Sequence, residues 1–286
     1  MNQRNRSRLM LMTSMAIFGT LALLVRNISV SSAELALYRA VLAAALIGVF
    51  LLVTRRKLGL KGLKKELLLL MCSGAAMAGN WILLFEAYKY TTVAISTLSY
   101  YFAPVIVTVA SSFLFKEKLS KKQILCFVMS TLGLVLVTGI TDLRGGSNDS
   151  LGILCGLGAA VLYAACILLN KFIKGVGGIQ RTFLQFCAAI VVMVPYVALS
   201  GGMTLGNLDV TGWVCLLVVG LVCTGVTYCM YFTAVEHLPG QQVAILSYID
   251  PLVAVLVGVG LLGEPMSSLQ WLGAGMVLGF TLWNEL

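Results

Sequence analysis

The stretch Tyr101-Phe102-Ala103-Pro104, running on to Phe115-Lys116-Glu117, is written twice in this chain. Its second copy is Tyr248-Ile249-Asp250-Pro251 through Leu262-Gly263-Glu264, and both Pro104 to Pro251 and Glu117 to Glu264 are steps of 147 residues. The same step carries Phe85 to Phe232, Ala87 to Ala234, Leu114 to Leu261 and Gln123 to Gln270. Each copy is an apolar run with a proline in its middle and an acid just past its end. A step of half the chain predicts two tandem copies of one structural unit.

Composition sets the class of both copies. Of 286 residues, 59% are hydrophobic and 11% charged, more apolar surface than a soluble protein of this size can hide. Apolar runs long enough to cross a bilayer recur along the whole chain. Ten are predicted: Leu9–Val25, Ser31–Thr54, Glu66–Tyr90, Thr92–Phe115, Lys121–Ile140, Leu151–Ile173, Ile179–Ser200, Gly212–Val235, Gln241–Leu262 and Ser267–Trp283. The expected fold is therefore all-helical and membrane-embedded. Residues 1–140 form one five-helix repeat, 141–150 a polar connection, and 151–286 the second repeat. Arg4, Arg6 and Arg8 before the first run imitate a signal peptide, but no small-residue cleavage motif follows, so that run is read as an uncleaved helix.

Basic residues orient the chain. Sixteen lysines and arginines fall on one side: at the N-terminus and in the connections after spans two, four and six, the last carrying Lys171, Lys174 and Arg181. The other side has Arg26, Lys89 and Arg144. Both termini are thus expected in the cytoplasm, with the protein in the plasma (inner) membrane. Five spans per copy is an odd number, so the second copy is expected upside down relative to the first, the inverted repeat of many secondary transporters. A net charge of +9 spread over such loops does not point to nucleic acid.

Several chemistries are excluded. No Gly is followed by Lys, so there is no P-loop. With His237 the single histidine, there is no zinc-binding histidine pair, and no G-x-S-x-G turn occurs. The eight cysteines lie inside apolar runs without C-x-x-C spacing and read as small packing residues. No enzyme, metal site or cofactor is expected.

With ten spans in two halves, the chain resembles the EamA-type permeases of the drug/metabolite transporter superfamily. The residues that carry the resemblance are Leu37-Tyr38-Arg39-Ala40 in span two, Asn80-Trp81, and Glu86-Ala87-Tyr88-Lys89-Tyr90-Thr91-Thr92 leading to Pro104 and Glu117. Ala234 leading to Pro251 and Glu264 completes the set. The resemblance covers essentially the whole chain. It implies a carrier with a central cavity between spans one to four and six to nine, spans five and ten packing at the side. It also implies export of a small amphiphilic metabolite, such as an amino acid or a drug-like compound. Uptake, or flipping of a lipid-linked sugar, are the alternatives within the same fold. Small multidrug-resistance relatives carry an essential glutamate in their first helix; spans one and six here contain no acid.

The residues themselves nominate a cavity. Pro104 and Pro251 cannot donate to the carbonyls of Tyr100 and Ser247, so each exposes a polar group inside lipid unless a neighbour satisfies it. A plain kink is the bland outcome; a paired break at equivalent positions points to a site or hinge. Asp250 stands near the bilayer midplane, where an acid costs about 2.5–3.5 kcal/mol and needs a cavity or a partner. It is either a proton or cation site beside the substrate or a structural cap on the break. Arg39 and Glu86 reach similar depths in spans two and three and are expected to pair, with a surface pair of Glu86 and Lys89, three residues on, as the bland alternative. Should they not, the guanidinium is left for a substrate carboxylate. Glu34 reads as interfacial and solvated. Asn80 and Trp81 fall mid-span, with Thr227 and Tyr228 at the repeat step. Tyr100, Tyr101, Tyr163, Tyr228, Tyr231 and Tyr248 supply candidate aromatic walls with hydroxyl tips. For any one tyrosine, helix packing or interfacial anchoring is the competing reading. The expected partners are a small-molecule substrate, the lipid bilayer and a coupling proton or cation; the oligomeric state is left open.

Overall fold

Apolar runs of this length leave the backbone one way to satisfy itself in lipid, by hydrogen-bonding within helices. In the computed structural model the described residues are 2–25, 27–55, 64–90, 99–116, 119–137, 149–200, 206, 208–262 and 267–285. Among them run α1 (Gln3–Gly19), the short α2 (Leu21–Val25), α3 (Ser32–Val53), α4 (Lys64–Tyr90), α5 (Ala103–Leu114) and α6 (Lys121–Val137). The second half supplies α7 (Asp149–Phe172), α8 (Gly178–Leu199), α9 (Val210–His237), α10 (Gly240–Leu246), α11 (Ile249–Leu262) and α12 (Ser268–Glu285). Glu117, Glu264 and the connection 141–148 lie outside the described residues.

Six stretches, Gln3–Val25, Ser32–Val53, Lys64–Leu84, Ser150–Phe172, Gly178–Leu199 and Val210–His237, are long and apolar enough to cross a membrane. Their outer faces carry Leu52, Val53, Leu199 and Val210 at 77% exposure or more, a price in water that lipid removes. Most of the interior is one large cluster, with three smaller ones beside it. It joins Leu11 and Met15 of α1, Leu37 and Ile47 of α3, Met77 and Trp81 of α4, Phe186 and Met193 of α8, and Tyr231 and Phe232 of α9.

Packing follows the repeat step. Helix α7 packs on α4 and α5, and its counterpart α1 packs on α9 and α11. Helix α4 packs on α8, and α9 packs on α3. Helices α6 and α12, counterparts of each other, lie together at the side. Even their caps match. Ser120 and Gln123 exchange side-chain and backbone hydrogen bonds at the start of α6, and Ser267 and Gln270, each 147 residues on, do the same for α12.

Two charges are not where the sequence suggested. Glu34 is 2% exposed rather than solvated: its carboxylate accepts from the Ser31 backbone while the Ser31 hydroxyl accepts from the Glu34 backbone, a capping box opening α3. Arg181 is fully buried and is no loop charge. Its guanidinium donates to the carbonyls of Asn170, Ile173 and Val176, each at 3.1 Å, and pairs with Glu236 at 3.2 Å. The open carbonyls at the end of α7 drew the arginine inward, because they have no helical partner of their own.

Candidate functional site

Both prolines break their helices outright rather than kink them. Tyr101 and Phe102 form a turn before α5, and Ser247 and Tyr248 form one between α10 and α11. Short i to i−3 bonds mark the turns: Phe102 N donates to Ser99 O, and Asp250 N donates to Ser247 O, both at 3.3 Å. That second bond satisfies the carbonyl which Pro251 leaves open, so the break in the second half needs no side-chain rescue. The Ser247 hydroxyl is used elsewhere, on Val243 O at 2.8 Å.

The two breaks meet. The Tyr101 hydroxyl donates to Asp250 Oδ2 at 3.1 Å, joining the start of α5 to the start of α11 across the halves. Helix α1 backs this point closely. A Cβ on Gly19 would stand 2.6 Å from the Asp250 carbonyl oxygen, so only glycine lets α1 approach α11 there.

From Asp250 an aromatic lining runs through the bundle. Tyr101 stacks edgewise on Tyr100 at 5.5 Å, and Tyr100 lies 5.6 Å from Tyr163. The Tyr163 and Tyr231 hydroxyls are 3.1 Å apart, and Tyr228 lies 6.1 Å from Tyr231. Tyr228 in turn faces Phe18, Trp81 and Phe186 at 4.9, 6.4 and 5.4 Å. Asn80, 2% exposed, donates to the Ala159 carbonyl at 2.8 Å and locks α4 to α7 beneath this lining. Tyr100, Tyr101, Tyr163, Tyr228, Arg39 and Asp250 all sit in the middle of the bundle yet keep part of their surface open, so they border space rather than packed core. Together they make a partly polar, mostly aromatic lining to this chamber.

Arg39 closes the other end. Its guanidinium lies over the Trp81 ring at 5.5 Å, and its Nε donates to Thr224 Oγ1 at 3.1 Å. Thr224 lies in Val218–Val226, where α9 winds as a π-helix. There the Thr224 hydroxyl donates five residues back, to Val219 O at 2.7 Å, and Thr227 does likewise to Val222 O at 3.0 Å. Such stretches gather at functional sites, because they re-aim side chains that a regular helix would point elsewhere.

The expected Arg39–Glu86 pair does not form. Glu86 accepts from the Tyr196 hydroxyl at 2.6 Å, and among the described residues Arg39 has no carboxylate within salt-bridge reach. Both groups found neutral hydroxyl partners. Tyr248 also stands apart from the chamber: fully buried, it meets the Thr131 hydroxyl at 2.7 Å and packs among Leu134, Leu252, Ala274 and Val277 on the α6–α12 side. Asn80, Trp81, Tyr101, Tyr163, Tyr228, Asp250 and Arg39 are brought together. Sequence reading passed over Phe18, Phe186 and Thr224; the step of 147 pairs Phe186 with Arg39, a signal open to use. Among the described residues no cluster of metal-ligating side chains occurs. A groove of about 270 Å³ between α3, α8 and α9 is lined by apolar groups such as Leu46, Phe50, Ile179 and Val226, contains none of the residues above, and suits a lipid chain.

Comparison with known proteins bears on this arrangement. The model of the EamA-like transporter family matches residues 6–139 and again 150–284. The chain is 27% identical over 281 residues to the uncharacterized transporter YxxF of Bacillus subtilis, covering 96% of this chain and 88% of that one. It is 26% identical over 263 residues to the uncharacterized inner membrane transporter YhbE of Escherichia coli, covering 87% and 81% of the two chains. A crystal structure 17% identical in sequence superposes with a TM-score of 0.83 over 97% of this chain and 96% of that chain, a likeness of fold alone. With the family model matched once in each half, the chain belongs to the EamA-like transporter family and is a multi-pass membrane transporter.

Proposed function

We propose that this protein is a secondary active transporter that exports a small amphiphilic metabolite, an amino acid or drug-like compound, across the plasma membrane by alternating access. Ten spans in two inverted five-helix halves, both termini cytoplasmic, form its scaffold. The outward direction is carried over from the family resemblance. The mirrored packing, α7 on α4 and α5 and α1 on α9 and α11, supports the two-fold scaffold. Pro104 and Pro251 are its hinge points, and Glu117 and Glu264 mark the equivalent span ends.

One observation carries the mechanism: the Tyr101–Asp250 hydrogen bond is the described side-chain link between the two helix breaks. Tyr101 donates to Asp250, and that bond is stronger when the carboxyl is charged. A proton arriving on Asp250 leaves a neutral acceptor, which weakens the tie between α5 and α11. Charged and neutral forms of Asp250 therefore favour different relations of the two breaks, which is what coupling a proton to a cavity orientation requires. A coupling ion could shift the equilibrium only through such a difference between states.

The test is transport into proteoliposomes under an imposed pH gradient, scored for counterflow without a gradient as well. Asp250→Asn keeps the shape and accepts from Tyr101 but cannot titrate. Counterflow is expected to persist in this variant while gradient-driven accumulation disappears. Accumulation by Asp250→Asn at the rate of the unaltered protein would leave Asp250 as a structural cap.

A further inference from the structure

We propose that Arg39 is the residue that recognises the substrate, through a single carboxylate, within the chamber described above. The inference rests on the transporter reading for the identity of the ligand as cargo, but the geometry that carries it is local.

An arginine has five N–H donors in a rigid fork. In Arg39 the Nε–H is taken by Thr224 Oγ1, and the planar face is taken by Trp81. Thr224 is itself held, since its hydroxyl proton goes to Val219 O through the π-helical register and its lone pairs are left for Arg39. The guanidinium is thus fixed along one edge and across one face. Its Nη1 and Nη2 make no hydrogen bond to a described residue, and neither is among the sealed, unpartnered atoms of the interior. What remains is the Nη edge, pre-oriented and accessible beside Trp81 and Tyr228. A cation in the middle of a membrane protein, held by neutral groups, is not held for stability: its charge is uncompensated until an anion arrives.

The chemistry of that anion follows from the count of charges. With no described carboxylate within salt-bridge reach, the Arg39 guanidinium pairs locally with one negative charge, Asp250 lying at the Tyr101 end of the chamber. A phosphate monoester carries about −1.5 to −2 at neutral pH, and the other ionisable chamber residue with an acidic side chain is Asp250, which adds negative charge. A monoanion with two parallel oxygens fits the fork, and that is a carboxylate. The repeat agrees that this is not a scaffold feature. The position equivalent to Arg39 is Phe186, which packs on Tyr228 at 5.4 Å as Arg39 packs on Trp81 at 5.5 Å. The contact distance is kept and the charge is added in one half alone.

Trp81 supplies the reporter, because an anion on Arg39 alters the cation above its ring. The full-length protein is purified with the three surface tryptophans, Trp213, Trp271 and Trp283, changed to Phe. Its fluorescence is titrated with 4-methylvalerate and its amide, and with L-leucine and L-leucinamide. Both acids are expected to give a saturable change, each amide binding about tenfold or more weakly, as for loss of a charge-assisted hydrogen bond. Arg39→Gln is expected to erase the preference for acid over amide, Arg39→Lys to retain a reduced part, and Thr224→Val to weaken acid binding by a few-fold through a looser fork. The acid–amide difference in the unsubstituted site keeps the proposal testable should Arg39→Gln fold poorly. Equal binding of acids and amides, a preference that survives Arg39→Gln, or no saturation by either acid in the high millimolar range would each overturn it. Leucine counterflow in proteoliposomes separates the two readings. An Arg39-dependent acid preference without counterflow under any condition sinks the transporter mechanism and leaves the binding site. Counterflow that is indifferent to Arg39→Gln sinks the binding role and leaves the transporter.

Discussion

The first and second halves share a scaffold and differ in where they place charge. Positions 147 apart occupy equivalent places: Trp81 and Tyr228 meet at the centre, and Ser120 with Gln123 and Ser267 with Gln270 build the same cap. The ionisable positions inside the helices do not follow. Arg39 answers to Phe186, Asp250 to Ala103, and Glu34 to Arg181. The last pair is instructive, because both side chains are buried at the entrance of their helix and both serve backbone groups. Glu34 accepts from the amide at the start of its own α3, whereas Arg181 donates to the carbonyls at the end of the preceding α7. A duplicated helix entrance can be satisfied by either sign, provided that the buried charge meets backbone groups of the opposite polarity. The repeat preserves geometry and leaves charge free to specialise.

The sharpest way to break this comparison is to move the acid. Tyr101 reaches Asp250, but its counterpart Tyr248 is turned away and held by Thr131, so the first half has no hydroxyl waiting for an acid at position 103. The double substitution Ala103→Asp with Asp250→Ala is expected to lose gradient-driven accumulation completely in proteoliposomes. Recovery of coupling would mean that the halves are interchangeable in function as well as in packing.

Arg181→Ala comes next. It strands three carbonyls and Glu236, and the expected loss is roughly 3–5 kcal/mol, read as a lowered melting temperature of the detergent-solubilised protein. Glu34→Ala removes the capping-box acceptor of α3, so a loss of about 1 kcal/mol or somewhat more is expected; a loss as large as that of Arg181→Ala would contradict the account of unlike roles. Gly19→Ala pushes α1 off the Asp250 carbonyl. An overpacking cost of about 1–3 kcal/mol is expected, together with impaired gradient response, measured by the same melting and transport assays. The smallest effect concerns what the halves share: Ser120→Ala and Ser267→Ala should each cost about 1 kcal/mol, and equal to one another within error. A clear inequality would mean that the matched caps carry different loads.

Much of the fold was open to reading because a bilayer restricts it. Run lengths, two prolines and a constant step suffice to lay out helices when every backbone group must be bonded internally. The chamber was legible in part, for Asn80, Trp81, Tyr101, Tyr163, Tyr228 and Asp250 announce themselves as polar or aromatic groups in mid-span. Pairing was not legible. Depth along two helices suggested Arg39 with Glu86, but depth says nothing of rotation about the helix axis. The rotation is set by packing: α3 is pressed against α9 so closely that a Cβ on Gly220 would lie 2.5 Å from Leu42 Cδ1. That contact brings Arg39 to Thr224 and leaves Glu86 to Tyr196 on α8.

By itself, the amino-acid sequence determined the apolar, helical character of the runs, the step of 147 between the two copies and the paired proline breaks, since each depends only on local composition and covalent constraint. Tertiary structure alone decided which partner each buried polar group takes. It put Tyr101 on Asp250, Arg39 on Thr224, Arg181 on the end of α7, and turned Tyr248 away. The physical reason is that a hydrogen bond is made or lost over about one ångström. Distances that fine between segments far apart in the chain are fixed by close helix packing, which no single run of residues encodes.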